Sequence, residues 1–199
     1  LAKPEYFFEN KGENYNKHEK LAPTMSALIL ASHVKEGIDI ARKEKLPRIV
    51  MDGIREHHGT TVMAFFYNKA LEYDSHDSVN VDDFRYPGPR PQSKETALIM
   101  LADSCEAAVR SLPEPNAPRI RAIVSKIFAA RMNDGELDNS GLTLNDIDVI
   151  REKFIQFLTG IFHPRVQYPS QDEQEKEGEK KVENNGRQQQ PDGDRKKRV

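Results

Sequence analysis

The sequence predicts an all-α domain. Apolar residues recur at i, i+3, i+4 and i+7 in one segment after another, and Pro, Gly, Ser and Thr punctuate these segments where helices start and stop. No stretch carries the sustained alternation of a strand.

Residues 1–23 read as an irregular polar opening with one aromatic cluster, Tyr6-Phe7-Phe8. Pro23-Thr24 precedes the first helix, where Met25, Leu28, Ile29 and Ser32 share a face, with Ile38 and Ala41 further along. Leu46-Pro47 breaks it, and Pro47 suits the first turn of a second helix, where its missing N–H costs nothing. That helix is expected to turn Ile49, Val50 and Ile54 inward and to run into His57-His58-Gly59. A third helix is expected from Thr61 to Tyr73, burying Val62, Phe65, Phe66 and Ala70. Asp74 to Gln92 reads as a long loop, rich in Asp, Ser and Asn and then in Pro and Gly. Ser93 is the N-cap of a helix to about Leu112, which Pro113 and Pro115 stop. Ile120, Ile123, Val124, Ile127 and Phe128 form the stripe of the next helix, with Gly135 as its stop. Thr143 with Asp146 resembles a capping pair for the last helix. Its expected buried side is Ile147, Ile150, Phe154, Phe157, Leu158 and Ile161, and Pro164 ends it. Beyond, Gln171 to Val199 has almost no apolar residues and cannot bury enough surface to offset its ordering entropy. The expectation is therefore a domain over 1–168 and a disordered charged tail over 169–199, ending in the basic Arg195-Lys196-Lys197-Arg198.

Composition excludes several function classes. The 199 residues are 37% hydrophobic and 31% charged, with a formal net charge of -2. No global positive field recruits DNA, RNA or anionic lipid. No apolar run approaches the roughly 20 residues that cross a bilayer. The single cysteine, Cys105, cannot form an internal disulfide, which fits a reducing compartment. There is no phosphate-cradling P-loop and no Gly-x-Ser-x-Gly elbow. Cys105 reads as a buried, inert thiol. The chain opens in Leu1-Ala2-Lys3-Pro4 rather than Met and reads as an excised piece of a longer protein.

Four residues could bind a cation. His57 and His58 are adjacent, and adjacent positions on a helix diverge by about 100°. One ion can take both only where a helix ends, and Gly59 supplies that end. His33 lies in the helix before them. Asp103 follows the apolar run Ala97-Leu98-Ile99-Met100-Leu101-Ala102, where a carboxylate is costly unless paired or metal-bound. Imidazole and carboxylate are the ligands expected for Zn, Mn or Fe. Spacing alone leaves each with a second reading: a hydrogen-bonded structural histidine, a surface pair, or an Asp103 ion pair, for instance with Arg110. His76-Asp77, in the Asp-rich loop, reads as surface.

At these residues the chain resembles the intracellular HD domain of the seven-transmembrane HD proteins, a bacterial family of cyclic-di-AMP phosphodiesterases. The likeness runs over about 1–169, through Lys3-Pro4-Glu5-Tyr6-Phe7-Phe8, Ser32-His33-Val34-Lys35-Glu36-Gly37 and Glu56-His57-His58-Gly59-Thr60-Thr61. It continues through Phe84-Arg85-Tyr86-Pro87-Gly88-Pro89-Arg90-Pro91, Leu101-Ala102-Asp103-Ser104 and Gly160-Ile161-Phe162-His163. The resemblance implies an HD-domain helical bundle with two divalent transition metals, Mn or Fe, that activate water and clamp the scissile phosphate. His33, His57, His58 and Asp103 match four of the family's ligands. An upstream His and a His-Asp doublet, which the family carries just before the Lys-Pro stretch, are not in this chain, so the fragment is expected to hold an incomplete site and to be inactive alone. The implied reaction opens a cyclic dinucleotide to its linear form. Lys69, Lys94 and Arg110 are candidate phosphate contacts, and Tyr86 with the Pro-Gly-Pro loop is a candidate adenine platform. No DNA or RNA partner is expected. The implied setting is the cytoplasmic domain of a bacterial membrane protein, attached through an upstream transmembrane region outside this chain. Two other functions stay open: an HD phosphohydrolase for another nucleotide, and a non-catalytic nucleotide-binding module.

Overall fold

Six helices form among the described residues of the computed structural model, which are 17–73 and 78–162. The Tyr6-Phe7-Phe8 cluster, His76-Asp77, His163, Pro164 and the 169–199 tail lie outside them. α1 (Pro23–Lys43) has proline in its first turn, and α2 (Arg48–Glu56) follows Pro47. α3 (Ala64–Tyr73) is short. α4 (Lys94–Arg110) is opened by a reciprocal cap: the Ser93 hydroxyl accepts from the Thr96 N–H at 3.2 Å and the Thr96 hydroxyl accepts from the Ser93 N–H at 3.3 Å. The Asn116 side chain accepts from the Arg119 N–H at 3.0 Å to start α5 (Ala117–Asn133), and Gly135 follows it with φ +70°. In front of α6 (Leu144–Phe162), Thr143 and Asp146 exchange two side chain–backbone bonds of 3.1 Å. The Ser93 cap, the Gly135 stop and the Thr143–Asp146 pair are those read in the sequence; the Asn116 cap was not read there.

Two apolar clusters hold the helices. α4, α5 and α6 share one, centred on Met100, Leu101, Cys105, Val124, Phe128 and Ile155. α1 and α3 share the other, where Ala27, Met63, Phe66 and Ala70 surround Phe84. α2 packs between α1 and α4. Close approach is possible because Gly37 and Gly53 present no side chain: a Cβ on Gly37 would stand 2.8 Å from Ile54, and one on Gly53 would stand 3.2 Å from Ile99.

Several expectations are corrected. The third helix starts at Ala64, not Thr61. Residues 61–63 are extended and pair antiparallel with 84–86: Met63 N–H donates to Phe84 O at 2.8 Å and Tyr86 N–H to Thr61 O at 3.0 Å. The β-branched Thr61 and Val62 favour that extended form. The long loop is thus drawn inward by the fully buried Phe84, at the end of a 3-10 turn over Val81–Phe84. Met25 and Leu28 on α1 are exposed, and the buried side is Ala27, Val34, Ile38 and Ala41. Ile49 and Val50 are exposed on α2, whose buried residues are Gly53 and Glu56. Phe65, Phe157 and Ile161 also face outward. On α1, α3 and α6 the buried positions lie one residue from exposed ones, as with Ala27 beside Leu28, Phe66 beside Phe65 and Leu158 beside Phe157, whereas Ile49 and Val50 are exposed in the first turn of α2. No helix among the described residues is long and apolar enough to cross a membrane.

Candidate metal centre

The histidines meet where α1, the end of α2 and α4 converge. His57 caps α2, still in helical geometry, with its N–H on the Gly53 carbonyl at 3.2 Å. The chain then leaves the helix through Gly59 at φ +53°. This ending brings the neighbouring rings together: the His57 and His58 centroids are 3.9 Å apart, where an uninterrupted helix would splay them. His33 reaches across from the middle of α1, with its ring 5.3 Å from His57 and 5.0 Å from His58. One ring nitrogen from each histidine lies within 4.8 Å of the others. Asp103 on α4 flanks the three histidines, with Oδ2 3.6 Å from His58 Nδ1. It is 48% exposed, so the apolar residues before it do not bury it. They serve the opposite side of α4, where Ala97, Met100 and Leu101 enter the core.

The hydrogen bonds dictate which ring nitrogens face the centre. His33 Nδ1–H donates to the Leu30 carbonyl and His57 Nδ1–H donates to the Ile54 carbonyl at 2.8 Å. In its neutral form each ring therefore presents Nε2 as an acceptor, and the two Nε2 atoms stand 3.2 Å apart. Two facing lone pairs repel unless a cation lies between or beside them, so the donor set fits a metal. Electrostatics favour the neutral, ligating form of His58 and His33. Burial pushes the His58 imidazole down to about 2, helped by His57, His33 and the Arg131 guanidinium. Burial also lowers His33, against the opposing bond to Leu30. Tyr86 stacks on His58 with centroids 4.1 Å apart and planes 27° from parallel. Burial and the Asp103 charge raise its phenol to about 12, so it keeps its proton.

The remaining sequence candidates are dispersed. Lys94 pairs with Asp146 at 2.9 Å, at the first turn of α4. Arg110 pairs with Glu106 at its other end. Sixteen residues separate them, about 24 Å along the helix, so the two cannot flank one metal cluster. Lys69 is half-buried on α3. Cys105 is fully buried, which pushes its thiol up to about 12 and removes it as a nucleophile. His18 is buried against Phe66, with centroids 5.2 Å apart.

Three charged residues at the site escaped the sequence reading. Arg131 on α5 donates from Nη2 to Ser104 Oγ at 3.2 Å, beside Asp103. Its signal was present: Arg131 continues the stripe Ile120, Val124, Ile127, so a cation falls on a buried face. Glu56, just before the histidine pair, is 4% exposed and accepts from the Gln92 N–H at 2.8 Å. Glu136 is fully buried and grips Thr60. Neither glutamate has a local pattern that sets it apart from a surface acid.

Comparison with known proteins identifies relatives of the chain and of its fold. The chain is 43% identical over 167 residues to the cyclic-di-AMP phosphodiesterase PgpH of Bacillus subtilis (strain 168), covering 84% of this chain and 23% of that protein. It is 41% identical over 167 residues to the protein of the same name from Listeria monocytogenes serotype 1/2a (strain 10403S), with the same coverage. The chain thus spans about a quarter of these relatives' length. The crystal structure of the L. monocytogenes phosphodiesterase PgpH HD domain superposes with a TM-score of 0.76 at 40% identity, over 81% of this chain and 75% of that one. The same domain in complex with cyclic-di-AMP superposes with a TM-score of 0.77, over 81% and 74%. The family model described as HD domain matches residues 4–108, which include all four clustered residues, and the chain belongs to the HD-domain family.

Proposed function

We propose that this chain is the greater part of a metal-dependent phosphodiesterase domain that hydrolyses cyclic-di-AMP to the linear dinucleotide. The observation that carries the reading is the meeting of His33, His57 and His58 with Asp103 in a chain 43% identical to a cyclic-di-AMP phosphodiesterase. The substrate follows from the relatives, one of which has been solved with cyclic-di-AMP bound. Divalent metal, Mn or Fe by the mixed imidazole and carboxylate donors, would offset phosphate charge and lower the pKa of water.

The chain's own residues prepare for this. The Leu30 and Ile54 carbonyls fix two imidazoles in the tautomer that presents Nε2. Burial holds His58 neutral, so no proton competes for it near neutral pH. Tyr86, packed on His58, closes one side with a neutral ring and is the substrate-facing residue this reading favours. Lys69, Lys94 and Arg110 are candidate contacts for the more distant parts of the ligand. The same reading places the domain on the cytoplasmic side of a bacterial membrane, attached through segments outside this chain.

The test incubates the chain, alone and within its longer protein, with cyclic-di-AMP, cyclic-di-GMP and deoxynucleoside triphosphates under Mn(II), and separates products by chromatography. Linear dinucleotide from cyclic-di-AMP is expected from the longer protein. Cleavage of mononucleotides alone would assign another HD phosphohydrolase, and binding without cleavage would assign a signalling module.

A further inference from the structure

We propose that Glu136 is the positioning residue for the His57–His58 pair: from behind the turn that carries them, it sets metal affinity without touching a metal. The proposal rests on the metal reading above. Glu136 lies in the connection between α5 and α6, far in sequence from the histidines, and is completely buried. A buried carboxylate is costly unless its oxygens are satisfied. Both are, by one residue: Oε2 accepts from the Thr60 N–H at 3.0 Å and Oε1 accepts from the Thr60 hydroxyl. Thr60 stands two residues after His58. Between them, Gly59 is pressed so closely that an added Cβ would collide with the Glu136 carboxylate and stand 2.6 Å from Met100 Cε.

The other polar groups of Thr60 are also taken. Its carbonyl accepts from Arg85 Nη1 at 3.1 Å, and its hydroxyl is approached by Arg90 Nε at 3.4 Å. Arg90 in turn donates to the Asp134 carbonyl at 3.2 Å, two residues before Glu136. The 59–60 turn is therefore anchored on the 134–136 turn at several points, and Glu136 is the anchor that reaches the backbone. Adjacent histidines converge only because the helix ends where it does, so a small rotation at Gly59-Thr60 would swing His58 off Tyr86 and away from His33.

The test compares Glu136→Ala and Glu136→Gln in the full chain. Mn(II) affinity is read by titration, the His58 ring-proton shifts by NMR of the metal-free protein, and the folded fraction by circular dichroism. Glu136→Ala should weaken Mn(II) about ten-fold or more, as loss of outer support for a ligand does, and should move the His58 signals, which sit in the ring current of Tyr86. Glu136→Gln should stay within about three-fold, because its carbonyl accepts from the Thr60 N–H and its amide donates to the hydroxyl. If Glu136→Ala does not fold, Thr60→Val, which removes the hydroxyl and keeps the N–H, is read instead and should lose about three-fold or more. A folded alanine or valine variant with wild-type Mn(II) affinity and unmoved His58 signals overturns the proposal, even if it melts earlier. If neither the wild-type chain nor its longer protein takes up Mn(II), the metal reading fails, and the His58 shifts alone decide whether Glu136 positions the pair.

Discussion

Gly59 shows how one residue serves both the fold and the site. Its φ of +53° is a region that L side chains rarely adopt, and the space a side chain would need is taken by Glu136 and Met100. Gly59→Ala should therefore cost about 2 kcal/mol or more in urea unfolding, the sum of backbone strain and overpacking, and should weaken Mn(II) in whatever fraction folds. The Tyr86 ring on His58 makes a second prediction. Tyr86→Phe keeps the stack and should leave Mn(II) affinity within about two-fold. Tyr86→Ala should weaken it by about two- to ten-fold, the worth of one aromatic pair, as measured by calorimetric titration. The helix-ending role of Gly59 was legible from the chain, because only an interrupted helix lets neighbouring imidazoles share an ion. The tautomers of His33 and His57 were not, since they depend on carbonyls three residues back that any helix offers.

At the scale of elements, helix ends were easier to read than helix faces. Capping depends on residues three apart in sequence, so Ser93 and the Thr143–Asp146 pair act locally and were legible, whereas the equally local Asn116 cap was not read. The exposed side of α2 depends on α1 and α4, which the local pattern does not encode. The start of α6 makes a pH prediction. The Lys94 ammonium, and then the Thr143 N–H and hydroxyl, hold the Asp146 carboxyl at about 2, below its ordinary 3.8. A depressed carboxyl stabilises the fold while ionised, so this contribution is complete above about pH 3.8 and disappears as pH falls toward 2. Asp146→Asn should lower Tm at pH 7, and the gap to wild type should narrow steadily in melts taken from pH 4 down to pH 2. A gap constant with pH would mean that the carboxylate charge is irrelevant to the cap.

Across the whole molecule, the candidate centre draws its parts from both sides of the helical assembly. His33 comes from α1, which belongs to the Phe84 cluster, and Asp103 from α4, which belongs to the Met100–Phe128 cluster. An ion binding there would bridge the two and favour the folded state. Mn(II) at about a hundred times its dissociation constant should add roughly 2.7 kcal/mol, seen as a higher Tm that chelator reverses. His33→Gln should abolish that increment while leaving the metal-free Tm close to wild type. That His33 and Asp103 stand on separate helices could be read from the chain; that two separate cores lean on those helices could not, because core membership follows contacts between residues far apart in sequence. The short antiparallel pairing of 61–63 with 84–86 has a consequence of its own. It is a latch of two backbone bonds between the chain entering α3 and the chain leaving the Val81–Phe84 turn, and Tyr86 is one of its donors. The amide protons of Met63 and Tyr86 should therefore exchange with deuterated solvent as slowly as those of the helices, while Val79 and Asn80 exchange freely, which would make the floor of the site one of the last places to breathe.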